Sequence, residues 1–173
     1  MPNIVICGTP GTGKSKIVEE LKKSLTDYRF INLSEYAIDH KYTSSYDEEL
    51  ETHVIDEEEV LKNLEPELEK SNNHIIEYIH GDMIHPDLID WVFVCRTDIT
   101  ILHPRLERRR YNEEKIKNNI ESEIFQSALD ESIDYYGDRK VTQLFNNTPE
   151  DLEFNVRLIL DRINRLIDEG IEK

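Results

Sequence analysis

Residues 8 to 15 read Gly-Thr-Pro-Gly-Thr-Gly-Lys-Ser, directly behind the apolar run Asn3-Ile4-Val5-Ile6-Cys7. The spacing G-x-x-x-x-G-K-[ST] constrains the backbone before anything else. Glycines at 8, 11 and 13 let the chain curl so that successive N–H groups point inward at anionic oxygens, between a strand and a helix. A chance match of the four fixed positions in 173 residues is on the order of one in a hundred, so a plain glycine turn is the poorer account. The loop implies a nucleoside triphosphate site. Gly11, Thr12, Gly13, Lys14, Ser15 and Lys16 supply the cradle, Lys14 reaches the β- and γ-phosphates, and the Ser15 hydroxyl is an Mg²⁺ ligand. The helix that opens at Gly13 adds its positive end to the anion site.

Periodicity extends this start into an α/β chain. Ile17, Leu21 and Leu25 recur at four-residue spacing, giving an amphipathic helix over 14–25. Strands are expected at Tyr28–Asn32, His74–Ile79, Trp91–Cys95 and Val141–Phe145, which with the first makes five. Between them fall a brief helix capped by Ser34, a helix from Asp56 that Pro66 kinks or restarts, and a helix from about Ile99. A long helix runs from Asn112 to Tyr136 with Ile116, Ile120, Ile124 and Ile133 on one side, and Gly137 stops it. Thr148 begins a capping segment for the last helix, whose buried stripe is Leu152, Val156, Ile159, Ile163, Leu166 and Ile167. Residues 39–51 have no period and few apolar side chains, so they form an exposed excursion. Alternating strands and helices imply a P-loop fold: a five-stranded parallel sheet with helices on both faces and ligand at the carboxyl ends of the strands.

A chain of 173 residues with 38% hydrophobic content supports one core, so a single domain over 1–173 is expected. No run approaches the ~20 apolar residues of a membrane span, and Met1-Pro2-Asn3 leads straight into strand, so a soluble, intracellular protein is expected. Cys7 and Cys95 sit in apolar strands and read as core residues. Thirty-seven acidic residues against 21 basic give a net charge of −16. That field disfavours free nucleic acid. It serves solubility, or it is a surface for a basic protein.

The phosphate loop, the excursion after the second strand and the arginine-rich turn between two late helices have the layout of a small nucleoside monophosphate kinase. More specifically, the chain resembles the adenylate kinase isoenzyme 6 family, nuclear kinase-like ATPases of small-subunit ribosome assembly. The likeness rests on Gly8–Lys14, Tyr46-Asp47-Glu48-Glu49, Asp56-Glu57-Glu58, Val94-Cys95-Arg96-Thr97-Asp98, Arg105-Leu106-Glu107 with Arg109, Tyr111-Asn112-Glu113, Asn119-Ile120, Glu123-Ile124-Phe125 and Asn147-Thr148-Pro149-Glu150. The stretch from Arg96 to Phe125 is the most specific part.

The resemblance implies a nucleotide-binding excursion over 33–56, with Asp47 on the substrate side, and a short lid over 105–118 that closes over ATP. Arg105 and Arg109, one helical turn apart, would present two guanidinium forks to phosphate, although four arginines between 105 and 110 also fit a solvated patch. Arg96, at the carboxyl end of strand four, is placed to touch a transferred phosphate.

Two departures matter. Where the family has Asp-Tyr-His after strand three, this chain has Glu77-Tyr78-Ile79-His80. Glu77 is then the acidic support for Mg²⁺ and His80 the candidate that positions a water, with Asp82 a rival for either. A metal cluster of His80, Asp82 and His85 is the alternative to a polar loop. His40, His53, His74 and His103 read as surface or hinge residues. The helix after strand two should offer an arginine to the AMP phosphate and instead has Ile38 beside Asp39. Lys16 also stands where the family has a hydroxyl.

Two functions follow from the resemblance: an Mg²⁺-dependent kinase joining ATP to AMP or dAMP with intrinsic ATPase activity, or an ATPase switch that times release of a basic small-subunit ribosomal protein in 18S rRNA maturation. Both place the protein in nucleus and cytoplasm, without direct binding to free nucleic acid or membrane. A phosphate-loop kinase for another metabolite would need a distinctive cluster over 34–56, and none is evident.

Overall fold

The computed structural model describes residues 1–171. Its elements, in chain order, are β1 (Ile4–Cys7), α1 (Lys14–Ser24), β2 (Arg29–Asn32), α2 (Leu33–Asp39), β3 (Thr43–Asp47), β4 (Thr52–Ile55), α3 (Glu57–Lys70), β5 (His74–Glu77), β6 (Trp91–Arg96), α4 (Ile99–Arg108), α5 (Glu113–Ile124), α6 (Ser127–Tyr136), β7 (Val141–Phe145) and α7 (Pro149–Ile171). Five strands form one parallel sheet in the order β2-β5-β1-β6-β7. The expected five strands are all present.

Strand periodicity divides the core in two, because successive side chains point to opposite faces. Ile4 and Ile6 join Ile17, Leu21, Phe93, Ile159 and Ile163 under α1 and α7. Val5 and Cys7 join Leu33, Val60, Leu64, Ile76, Val94 and Leu129 under α2, α3 and α6. Both cysteines are free and buried, and burial pushes the Cys7 thiol up to about 11 and that of Cys95 to about 12. Among the described residues no helix is long and apolar enough to cross a membrane.

Four local expectations are corrected. Residues 39–51 are not irregular, because they contribute to an antiparallel hairpin of β3 and β4. In this ribbon Thr43, Ser44, Ser45, Thr52 and His53 are polar, Tyr46 and Val54 are exposed, and Ile55 packs against the core, so it carries little hydrophobic alternation. The brief helix is capped not by Ser34 but by Asn32, whose side chain accepts from the Glu35 N–H at 3.2 Å. The helix expected over 112–136 is two helices, broken where Gln126 adopts a left-handed conformation (φ 57°, ψ 31°). Ile124 and Phe125 are therefore solvent-facing, 52% and 71% exposed, and not part of one apolar stripe. His74 is fully buried, not on the surface: its backbone N–H and its Nδ1 meet Asn3 Oδ1 at 3.0 and 3.2 Å. Pro66 leaves α3 continuous.

Candidate functional site

Parallel strands bring five carboxyl ends to one edge, and every element of the site hangs from that edge. The phosphate loop follows β1, Asn32 ends β2, Glu77 ends β5, Arg96 ends β6, and Asn146 follows β7. Gly8, Gly11 and Gly13 have φ of 137°, 91° and 94°, backbone that L side chains rarely adopt. Packing closes the choice further: a Cβ on Gly8 would run into the Cys95 carbonyl oxygen, and one on Gly13 into Asn146 Nδ2.

The loop's functional groups are already in place. Lys14 is 7% exposed, and its Nζ donates to the carbonyls of Gly8 at 2.6 Å and Thr9 at 3.1 Å. Burial depresses its pKa below the ordinary lysine value. The Ser15 hydroxyl donates to Glu77 Oε1 at 2.6 Å. This donor set is all oxygen, which suits a hard divalent cation such as Mg²⁺. Thr12 is fully buried and its hydroxyl donates to the Thr9 carbonyl at 2.8 Å. Lys16 is exposed on α1.

A cleft of about 980 Å³ opens above this loop, and its walls are α2 with the hairpin, the turn after α4, and one face of α5. Lys14, Ser15, Asp47, Glu77, His80 and Arg109 all border it. Asp47 uses its carboxylate locally, accepting from the N–H groups of Glu49 and Leu50, each at 2.9 Å, at the hairpin's turn. His80 Nδ1 lies 3.3 Å from Glu131 Oε2. His80, Asp82 and Glu131 can bring one ligand atom each within 4.8 Å of one another. His85 instead lies beside Asp87, at 3.8 Å.

The arginines separate. Arg109, at the C-terminal cap of α4, borders the cleft with its Nη1 3.4 Å from the Tyr111 hydroxyl. Arg105 turns instead to the loop scaffold, where Nη1 donates to the carbonyls of Gly11 (3.2 Å) and Asn146 (3.1 Å) and Nη2 to that of Asn147 (3.1 Å). Arg96 is held away from the cleft: its Nε donates to Glu123 Oε1 at 2.6 Å, and Nη2 to the Glu123 carbonyl at 3.0 Å.

Glu123 and Asn146 were given no role from sequence. Glu123, 3% exposed, also accepts from Thr9 Oγ1 at 2.7 Å and the Thr97 N–H at 3.0 Å, so one buried carboxylate joins the phosphate loop, β6 and α5. Asn146 Nδ2 donates to the Thr12 carbonyl at 2.9 Å. The signal available was their place within, or next to, the motifs Glu123-Ile124-Phe125 and Asn147-Thr148-Pro149-Glu150.

Comparison with known proteins agrees with this geometry. A family model described as an AAA domain matches residues 4–126. The chain is similar to the adenylate kinase isoenzyme 6 homolog FAP7 of Saccharomyces cerevisiae, 38% identical over 159 residues, covering 92% of this chain and 80% of the relative. The Drosophila melanogaster adenylate kinase isoenzyme 6 homolog is 35% identical over 158 residues, covering 91% and 89%. The fold is like that of a shikimate kinase from Bacteroides thetaiotaomicron, with TM-score 0.58 and 16% identity over 94% of this chain and 98% of that one. It is also like a gluconokinase from Sinorhizobium meliloti 1021, with TM-score 0.58 and 16% identity over 98% and 95%. With its nucleotide-binding loop intact and its relatives alike along nearly the whole chain, this phosphotransferase belongs to the adenylate kinase isoenzyme 6 family.

Proposed function

We propose that this enzyme transfers the γ-phosphoryl group of ATP to AMP or dAMP, hydrolyses ATP slowly on its own, and serves small ribosomal subunit maturation. The observation that carries the transfer is the single cleft of about 980 Å³ shared by the phosphate loop and the α2–hairpin wall. That volume stands at the upper end for small-molecule sites. A donor and an acceptor nucleotide can therefore meet head to head within it.

Phosphoryl transfer is mostly positioning and charge neutralisation. Lys14 holds the β- and γ-phosphates, and Arg109 approaches from the lid turn. Ser15 and Glu77 are the residues that would hold Mg²⁺, which supplies neutralisation of phosphate charge when bound with ATP. His80 is exposed at the cleft's rim, where it can orient a water for hydrolysis.

One observation favours the switch as a second reading: the acceptor wall carries Ile38, Glu35 and Glu57 and no lysine or arginine. With a net charge of −16, the protein would hold a basic small-subunit ribosomal protein in nucleus or cytoplasm, while free nucleic acid and membranes are not partners. Steady-state ADP formation with and without AMP tests the choice. Stimulation by AMP supports the kinase; ATP hydrolysis indifferent to AMP but coupled to release of a basic ribosomal protein supports the switch.

A further inference from the structure

The wall of the cleft opposite α2 is one face of α5, and Lys115, Asn119 and Ser122 line it at helical spacing. Its two ends are fixed. One turn beyond Asn119, Glu123 grips Thr9 of the phosphate loop at 2.7 Å. One turn before it, Lys115 Nζ donates to the Glu51 carbonyl on the hairpin at 3.2 Å. The Asn112 side chain adds a second tie, donating to the Glu49 carbonyl at 2.8 Å. This face therefore runs from the donor phosphates to the acceptor wall.

Asn119 is unusual on this face. It is 8% exposed, and its Nδ2 is buried with no hydrogen-bond partner among the described residues. A buried amide donor without a partner is a net loss to the free protein; its nitrogen is closed to solvent, and a rotation of the side chain toward the cleft that Asn119 lines would let a ligand complete it. The second feature is charge. Among the described residues, the lysines and arginines that line the cleft are Lys14, Arg109 and Lys115. Lys14 belongs to the phosphate loop and Arg109 to the lid, which leaves Lys115 nearest the hairpin side, where α2 offers Glu35 and Ile38 instead of a cation.

We propose that Lys115 and Asn119 of α5 form the subsite for the acceptor's phosphate, the phosphomonoester dianion of a nucleoside monophosphate. This rests on the kinase function proposed above. Lys115 contributes the charge and Asn119 an amide donor, so the acceptor phosphate is gripped from the α5 wall and not from α2. On binding, the Lys115 ammonium exchanges its Glu51 carbonyl for phosphate oxygen, and the Asn119 amide gains the partner it lacks.

Lys115→Met and Asn119→Leu keep side-chain bulk while removing the donors, and Lys115→Arg keeps the charge. Each is tested for AMP-dependent ADP formation, for acceptor-free ATP hydrolysis, and for equilibrium binding of a fluorescent AMP analogue. The expected result is an acceptor KM and an analogue Kd raised about tenfold or more in Lys115→Met and Asn119→Leu. Lys115→Arg stays near wild type, and the KM for ATP and the basal hydrolysis rate change less than about twofold. Wild-type acceptor KM and Kd in both donor-less variants, or a parallel rise in ATP KM, overturn the subsite. A wild-type protein that binds the analogue through these residues but forms no ADP from AMP refutes the kinase function and leaves the subsite standing. One that neither binds nor uses AMP refutes both.

Discussion

The Ser15 hydroxyl donates to Glu77 Oε1 at 2.6 Å, tying the end of the phosphate loop to the end of β5. Glu77 is 8% exposed, so the carboxylate is held by its strand and fixes where the hydroxyl sits. Groups that orient a metal ligand are typically worth 10–100-fold in metal affinity or activity. Glu77→Gln and Ser15→Ala should each raise the Mg²⁺ concentration for half-maximal ATP hydrolysis by about that factor, in an Mg²⁺ titration at fixed ATP. An unchanged half-saturation point in both variants would show that this pair has no part in holding the ion.

Lys14→Ala should abolish nucleotide binding without unfolding the chain. Helix α1 is anchored by buried Ile17, Val18 and Leu21, each contributing roughly 1.5–3 kcal/mol, whereas Lys14 contacts loop carbonyls. Its folded pKa lies below the ordinary 10.5 because burial disfavours the charged form, and bound phosphates must raise it again. ATP binding therefore takes up protons in the range between the depressed pKa of the free protein and the higher pKa of the complex, and affinity falls as pH rises through that range. Calorimetry in buffers of different ionisation enthalpy measures the uptake. Proton-neutral binding throughout that range, in a protein that loses ATP affinity with Lys14→Ala, would show that the lysine's protonation is unaltered by the ligand.

Arg105 and Arg109 should give opposite phenotypes. Arg105 bonds three backbone carbonyls, so Arg105→Ala should cost about 1.5–3 kcal/mol of stability, read as a lower urea midpoint. Arg109 is exposed at the cleft, and its removal should leave the midpoint unchanged while slowing turnover more than it weakens ATP binding, since a cation in the proposed lid role acts on charge that develops in the transition state. Equal losses of rate and ATP affinity in Arg109→Ala would assign it to ground-state binding.

Most of the sheet was legible because strands buried on both faces read as apolar runs, and Ile4–Cys7 and Trp91–Cys95 are such runs. The hairpin was not, because a solvated ribbon leaves no alternation at Thr43–Asp47. The break at Gln126 was hidden for another reason. Ile116, Ile120 and Ile124 continue helical spacing, whereas the bonds at the end of α5 are long-range, with Arg96 donating to the Glu123 carboxylate and carbonyl and to the Gln126 side chain. Within the site, Gly8 to Ser15 could be placed because the phosphate loop is contiguous. The bonds of Arg96 to Glu123 and of Arg105 to the loop carbonyls span 27 to 94 residues in sequence, beyond any local pattern.

Glu123 carries the heaviest structural burden near the cleft. Its ion pair with Arg96 has side chains 3% and 12% exposed, and breaking a buried pair from one side leaves an uncompensated charge, at a cost of about 3–5 kcal/mol. Glu123→Ala should lose stability of that order by urea denaturation. A loss below about 1 kcal/mol would mean that Arg96 finds water or another partner when Glu123 is gone.

Under the proposed kinase function, Ile38 should set how well the acceptor is used. It is 45% exposed and lines the cleft beside Glu35 on the same helix, so α2 contributes no positive charge to an incoming phosphate. A charge-assisted hydrogen bond contributes about 1.5–3 kcal/mol, or roughly tenfold to hundredfold in affinity. Ile38→Arg should lower the AMP KM by about that factor while leaving the KM for ATP in place. The proposed basic ribosomal partner, by contrast, would answer to the overall charge of −16. Its complex should weaken steeply between 0.1 and 1 M salt as the Debye length shrinks from about 10 to about 3 Å. Ile38→Arg changes that total by a single charge and should barely alter the salt titration. If it weakens the ribosomal complex and leaves AMP kinetics untouched, α2 contacts the protein partner and not the acceptor nucleotide.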